Sequence, residues 1–200
     1  MKIGIDIDGV LTNVIRYACD YGSKYFFEKY GKLDININAW SLKDMFNVSD
    51  EEDKECWLTL VKNYSINESA RPFAAKIIEK MKEENNEIYI ITARSASKWD
   101  DVDGEMNNIL VSWLKNNNIK YDKLIVSKDK LEMCKKYNID VMIEDKTENI
   151  KSISKELPVI CFDENHNKNS KGKNIYRAYS WYDVYYKYLI IKEVINNEKI

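Results

Sequence analysis

The sequence predicts an α/β fold built on a parallel β-sheet, and three observations carry that reading. Short apolar runs of strand length recur near residues 2–7, 87–91, 121–126, 140–143 and 158–162. Amphipathic stretches of helix length separate them, and an alternation of this kind builds parallel sheets. Two of the runs end in acids, Asp6 with Asp8 and Glu144 with Asp145. In open α/β sheets, ligands bind at the carboxyl ends of the strands.

The first run fixes the rest. Ile3, Ile5 and Ile7 alternate, and Gly4 suits a crowded interior. Side chains two apart in a strand share a side, so a straight strand would project Asp6 and Asp8 together. Two such charges need a cation or a shared proton. Gly9 allows a sharp turn just after them.

Val14 to Tyr30 reads as a helix, with Asn13 as its cap and Gly31 past its end. Tyr17, Tyr21 and Tyr25 are spaced by four and share one face. Residues 33–70 are polar and acidic, with Trp40, Phe46, Trp57 and Tyr64 dispersed among them. Ser49 or Asp50 starts another helix there, with acids in its first turn. Residues 14–71 therefore form a small helical insertion.

Arg71-Pro72 restarts the regular pattern, and Pro72 suits the first turn of a helix carrying Ala74, Ile77, Ile78 and Met81. The strand at 87–91 ends in Thr92-Ala93-Arg94-Ser95. Trp99, Asp100, Asp101 and Asp103 then read as a solvated turn before a helix from Glu105 to Lys115. The strand at 121–126 leads into a helix from Leu131 to Tyr137, with Lys128 and Lys130 just before it. A lysine is unfavourable beside a helix N-terminus, which raises the question of what else it serves. A short helix from Thr147 to Lys155 precedes the strand at 158–162. His166 is the only histidine. It falls in an Asn/Lys-rich loop, 163–173, expected to be exposed and mobile, and is expected at the surface. A possible edge strand at 174–176 and a last helix from Trp181, capped by Ser180, complete the chain.

Composition bounds the function. Two hundred residues suit one domain with an insertion, and a 44% hydrophobic fraction supports a sizeable core. The net charge is −2 with no long basic run, so a nucleic acid polymer is not an expected partner. Cys19, Cys56, Cys134 and Cys161 form no CxxC pair and no cluster with histidine, which argues against zinc. Scattered cysteines without a leader-like N-terminus fit a cytoplasmic location, and nothing approaches transmembrane length, so no membrane partner is expected. A small phosphorylated metabolite fits. The oligomeric state is left open.

The string Asp6-Ile7-Asp8-Gly9-Val10-Leu11-Thr12 after an apolar strand resembles the first motif of the haloacid dehalogenase superfamily, most of whose members are Mg²⁺-dependent phosphatases. Thr92, Lys130 and Glu144/Asp145 resemble the second, third and fourth motifs in the expected order, with Lys128 as the alternative lysine. The strings Asp-Ile-Asp-Gly-Val-Leu-Thr-Asn, Ile-Thr-Ala-Arg and Ile-Glu-Asp, with the ending Arg177 to Trp181, are similar to bacterial relatives of the cytosolic type C 5′(3′)-deoxyribonucleotidases. The resemblance implies a three-layer Rossmann-like core, 1–13 and 72–200, with 14–71 as a cap inserted after the first strand.

It further implies Asp6 as the nucleophile, passing through an aspartyl-phosphate, and Asp8 as general acid and then base. Mg²⁺ would bind Asp6, Asp8 through its carbonyl, and Asp145. Thr92, Ala93, Arg94 and Lys130 would hold phosphate, with Thr12 and Glu144 in support. Glu144 stands where the motif often has Asp. Tyr17, Tyr21, Trp40, Phe46 and Trp57 are candidates to line a substrate pocket, against a role in the core. The implied activity is 5′-nucleotidase action on (deoxy)nucleoside monophosphates. A sugar-phosphate or other small-metabolite phosphatase, a phosphotransferase, and a non-catalytic phosphate- or nucleotide-binding module on the same fold remain the alternatives.

Overall fold

The computed structural model describes residues 1–96 and 105–197. The Trp99 and Asp100 to Asp103 stretch lies outside them. Six parallel strands form one sheet: β1 (Lys2–Ile5), β2 (Glu87–Thr92), β3 (Lys123–Val126), β4 (Val141–Glu144), β5 (Val159–Phe162) and β6 (Ile175–Ala178). Their order is β3-β2-β1-β4-β5-β6. Ile3 and Ile5 pair with Ile88 and Ile90 on one side and with Val141 and Ile143 on the other. The chain runs outward from β1 to β3, then returns to place β4 on β1's free side. That switch point opens a crevice at the strand ends, where both acidic pairs lie.

Helices cover both faces. Ile3, Ile5, Ile90 and Ile143 pack beneath α4 (Ala74–Glu83), α5 (Met106–Asn116) and α8 (Trp181–Asn197). The alternate residues Tyr89, Ile91, Met142 and Cys161 pack beneath α6 (Lys130–Tyr137) and α7 (Thr147–Ile153). This period of two, with both faces buried, explains why the strands read as continuous apolar runs. Gly4 sits where the sheet meets the α6/α7 layer. A Cβ there would lie 2.6 Å from Met142 Sδ and 3.3 Å from Ile91 and Ile139.

Between β1 and α4 come α1 (Val14–Tyr30), α2 (Leu42–Phe46) and α3 (Asp50–Asn67). They have their own apolar centre of Ala18, Phe26, Leu42, Met45, Phe46 and Cys56. Ser49 and Glu52 close a reciprocal capping box at the start of α3. The aromatic stripe of α1 divides: Tyr17 is buried, Tyr25 half-buried and Tyr21 exposed. Among the described residues no helix is long and apolar enough to cross a membrane.

Three local expectations are corrected. β1 stops at Ile5, because the Ile7 carbonyl accepts from the backbone N–H of Val10, Leu11 and Thr12 and draws the chain into a turn. Pro72 lies in a turn and α4 begins at Ala74, since Phe73 at φ +68° cannot be helical. The loop 163–173 is anchored rather than loose. Asn167 is buried and donates to the carbonyls of Asp145 and Phe162. Arg177 donates to Asp163, to Asn167 and to the Ser170 carbonyl.

Glu84, at the end of α4, ties down α8. It accepts from Tyr188 Oη at 2.9 Å, from Lys192 Nζ at 2.7 Å and from Tyr185 Oη. Burial pushes its carboxyl up, but these donors together outweigh burial and hold it below its ordinary value of 4.5. The contact therefore adds stability above pH 4.5 and loses it as pH falls through the lower folded value. Glu84→Gln should thus lower the melting temperature at neutral pH, with the gap to the parent closing in acid, as followed by circular dichroism. Gly4→Ala should destabilise by about 1–3 kcal/mol in urea titration through overpacking against Met142.

Candidate active site

The site is built where β1 and β4 end side by side. The Asp6 N–H still bonds the Ile143 carbonyl at 3.1 Å, so Asp6 is held in register with the end of β4. Beyond it the chain turns at Gly9, φ +81°, and a Cβ there would fall 1.9 Å from Asp145 Oδ2. Only glycine fits both the angle and the approach.

This turn separates the two acids that a straight strand would have paired. Asp6 is buried and forms an ion pair with Lys130 Nζ. Asp8 points the other way, to the Arg94 guanidinium and to Tyr64 Oη, which donates at 2.5 Å. Tyr64 keeps its proton, because burial and the charge of Asp8 push its hydroxyl well above the ordinary value. Having given that proton to Asp8, Tyr64 can only accept from Thr12 Oγ1, 2.6 Å away. Thr12 is fully buried, and its single hydroxyl proton goes either to Tyr64 or to the Ile7 carbonyl, 3.1 Å away. Thr12 thus braces the helical insertion against the turn.

Lys130 is the first residue of α6, capped by Asp129, and is buried. It lies between Asp6 and Glu144 Oε2, the latter at 2.8 Å. Glu144 is saturated. Beyond Lys130 it accepts from Asn149 at 3.2 Å and from the N–H groups of Asp145 and Lys146 at 3.1 and 3.0 Å. Its longer arm reaches the lysine and its own turn. Lys128 is exposed.

Asp145 is different. It is fully buried, yet neither carboxylate oxygen has a hydrogen-bond partner. Burial, then Glu144 and Asp6, push its carboxyl well up. Oxygens of Asp6, Glu144 and Asp145 lie within 4.8 Å of one another. Four carboxylates, Asp6, Asp8, Glu144 and Asp145, face two cations, Lys130 and Arg94, so with all four ionised two negative charges are left without a counter-charge. Two orphaned, buried oxygens in an all-carboxylate cluster fit a hard divalent cation such as Mg²⁺.

The protonation pattern of the protein alone runs opposite to the expected one. Burial, with Glu144 and Asp8, raises Asp6 to about 7 against the pull of Lys130. Burial also acts to raise Asp8, but the Arg94 charge and the bonds from Arg94 and Tyr64 win and hold it below the carboxylate range. The causes are the burial of Asp6, with other acids around it, and the arginine on Asp8.

Thr92 is buried at the end of β2, and its Oγ1 accepts from the Arg94 N–H at 3.1 Å. Its hydroxyl proton stays available. Ala93 is exposed beside it. Arg94, expected on phosphate, lies instead against Asp8, over the rings of Tyr64 and Trp113.

The aromatic candidates scatter. Trp57 lines a cavity of about 180 Å³ with Asp8, Tyr64, Ser65, Arg94 and Ser95. Tyr17 packs behind Tyr64, with ring centres 4.9 Å apart, and Tyr21 stacks outside Tyr17. Phe46 lies in the α1–α3 core, and Trp40 meets His166. These four do not line that cavity.

His166 is also corrected. Its ring is largely buried, with Nε2 3.1 Å from the Asp145 carbonyl and the Trp40 ring edge-on, because Asn167 pins the loop. Arg71 was missed as well. It donates to the Gly9 and Thr12 carbonyls and pairs with Glu164, clamping the turn from outside. Neither Tyr64 nor Arg71 carries a local sequence signal, since each meets the turn across more than fifty residues.

Buried acids at two adjacent strand ends, a lysine locked between them and helices inserted after the first strand form the arrangement that the haloacid dehalogenase resemblance implies. The fold matches a haloacid dehalogenase superfamily hydrolase from Ehrlichia chaffeensis, with TM-score 0.53 and 17% identity, covering 97% of each chain. It also matches D,D-heptose 1,7-bisphosphate phosphatase from Burkholderia thailandensis, with TM-score 0.58 and 9% identity, covering 94% of this chain and 97% of that one. At such identities the likeness is one of fold.

Residues 1–194 match the family described as 5′ nucleotidase, deoxy (pyrimidine), cytosolic type C protein, and the chain belongs to that family. It is 29% identical over 188 residues to a candidate nucleotidase, YqfW of Bacillus subtilis (strain 168), with 90% of each chain covered. It is 24% identical over 185 residues to another, BH1399 of Halalkalibacterium halodurans, covering 90% of this chain and 88% of the relative.

Removing Lys130 would leave Asp6 and Glu144 buried without a counter-charge. Lys130→Ala should destabilise by about 3–5 kcal/mol, whereas Lys128→Ala at the exposed position should stay within about 0.5 kcal/mol. Urea titration of the two variants checks the difference.

Proposed function

We propose that this chain is a Mg²⁺-dependent 5′-nucleotidase that hydrolyses (deoxy)nucleoside monophosphates through an aspartyl-phosphate on Asp6. The observation that carries the reading is Asp145, whose two buried oxygens have no partner in a cluster that, with all four acids ionised, is two charges too negative. Asp6, Asp145 and the Asp8 carbonyl would hold the ion. When bound, Mg²⁺ supplies the positive charge that lets an anionic carboxylate meet an anionic phosphate.

The chain's own residues do the rest. An Asp6 oxygen attacks phosphorus, and the bond to the leaving oxygen breaks. Asp8, ionised while Arg94 and Tyr64 hold it, must take up a proton before the first step; it then gives that proton to the leaving oxygen and takes one back from the water that attacks the aspartyl-phosphate. That second attack frees Asp6 and inorganic phosphate. Lys130 has three N–H donors and uses two of them on Asp6 and Glu144, leaving one for a phosphoryl oxygen. The Thr92 hydroxyl is a second donor. Residues 14–71 act as the cap over a core of 1–13 and 72–200, and bring Tyr64 and Trp57 to Asp8.

The family match supports nucleotides as the substrate class. The test is phosphate release from an aryl phosphate, nucleoside monophosphates and sugar phosphates, with Mg²⁺ and with EDTA. Release should require Mg²⁺ and favour nucleotides. Asp6→Asn should abolish it while the circular dichroism spectrum stays that of the parent. Full activity in EDTA, or in that variant, would remove the mechanism. Equal turnover of nucleotides and sugar phosphates would remove the nucleotidase assignment.

A further inference from the structure

The cavity beside Asp8 holds three polar atoms that neither the fold nor the mechanism uses. Ser65 lies on α3 and is fully buried, yet its Oγ has no hydrogen-bond partner. Ser95 follows Arg94 with φ +67°, a costly angle for a residue with a Cβ, and its buried Oγ is likewise unpaired. Arg94 is buried and spends Nη2 on Asp8, while its Nη1 has no partner. All three residues line the same cavity of about 180 Å³. Buried unpaired groups are costly, and native proteins keep few of them. Three around one cavity point to a ligand that completes them.

We propose that Ser65, Ser95 and the Nη1 edge of Arg94 form a leaving-group subsite that reads an acceptor oxygen on a polar ring, and so selects which phosphate esters are cleaved. The inference rests on the phosphatase reading and adds the residues that would set its specificity. Position supports it, because Asp8 lines the cavity and the group it protonates must lie beside it. The donors define the ligand. A guanidinium only donates, so an acceptor must face Nη1, while the two hydroxyls can donate or accept. Trp57 and Tyr64 supply aromatic walls on which a flat ring can stack. Pockets for drug-sized ligands usually run to about 300–1,000 Å³, so this one suits a single ring. A carbonyl of a pyrimidine base and a hydroxyl of a pentose share the required chemistry.

The experiment compares the parent with Ser65→Ala and Ser95→Ala on three substrates: deoxyuridine 5′-monophosphate, ribose 5-phosphate and p-nitrophenyl phosphate. The readout is kcat/KM for each polar-ring substrate divided by that for the aryl phosphate, so a general loss of folded enzyme cancels. Each variant should lower the nucleotide ratio by about 3- to 10-fold, the worth of one hydrogen bond. A fall for the nucleotide alone places the acceptor on the base, and a fall for both places it on the sugar. The melting temperature of free Ser65→Ala should hold or rise, since an unpaired buried hydroxyl is removed.

Unchanged ratios in both variants would overturn the subsite while leaving the phosphatase intact. Should the parent cleave none of the three, titration with deoxyuridine decides. Weaker binding by the serine variants would keep the subsite and remove the phosphatase reading. Equal binding, or none, would remove the subsite as well.

Discussion

The structure depends on holding four carboxylates at the ends of two neighbouring strands. Asp6, Glu144 and Asp145 are buried there and Asp8 stands at the rim, with Lys130 and Arg94 as counter-charges. Burying so much like charge is costly unless each group is paired or a cation joins them. The surrounding fold supplies the pairing. Glu144 is saturated by a lysine, an amide side chain and two backbone donors, Asp6 is tied to Lys130, and Asp8 to Arg94 and Tyr64. Only the Asp145 carboxylate is left without a donor, which is the property of a ligand rather than of a scaffold.

That constraint explains features far from the acids. Gly9 is required because Asp145 occupies the space of its missing side chain. Arg71 holds the turn from outside through the Gly9 and Thr12 carbonyls. Asn167 holds the Asp145 carbonyl from the other side, and with it the loop that buries His166. Tyr64 ties the inserted helices to the site by hydrogen bonds, linking Thr12 to Asp8. A change in how α3 sits is therefore felt at Asp8 directly.

Much of this was legible in the sequence. The strands alternate or run apolar because both faces of a parallel sheet are buried, and α1 and α3 carry local caps at Asn13 and Ser49. The strand-end acids were visible because charge after an apolar run is locally conspicuous. Lys130 was legible as a lysine placed against a helix dipole, a conflict that its two carboxylate partners account for. His166 was misread, because its polar neighbours looked like a solvated loop and the bonds that bury it come from Asn167 and Arg177. The aromatic candidates were unsortable, since period alone cannot tell the face toward Asp8 from the face toward the α1–α3 core.

The sequence by itself therefore determined the α/β sheet, the inserted helices and the chemical types gathered at the strand ends, because these follow from local period, capping and short motifs. Tertiary structure alone decided how they meet. It sent Asp6 to Lys130 and Asp8 to Arg94, left Asp145 unpartnered, and brought Ser65 from α3 to Arg94 and Ser95 from the end of β2. Those outcomes depend on contacts across 56 residues between Tyr64 and Asp8 and 86 between Arg94 and Asp8. Separations of that size leave no periodic trace in the chain, and only the packed fold closes them.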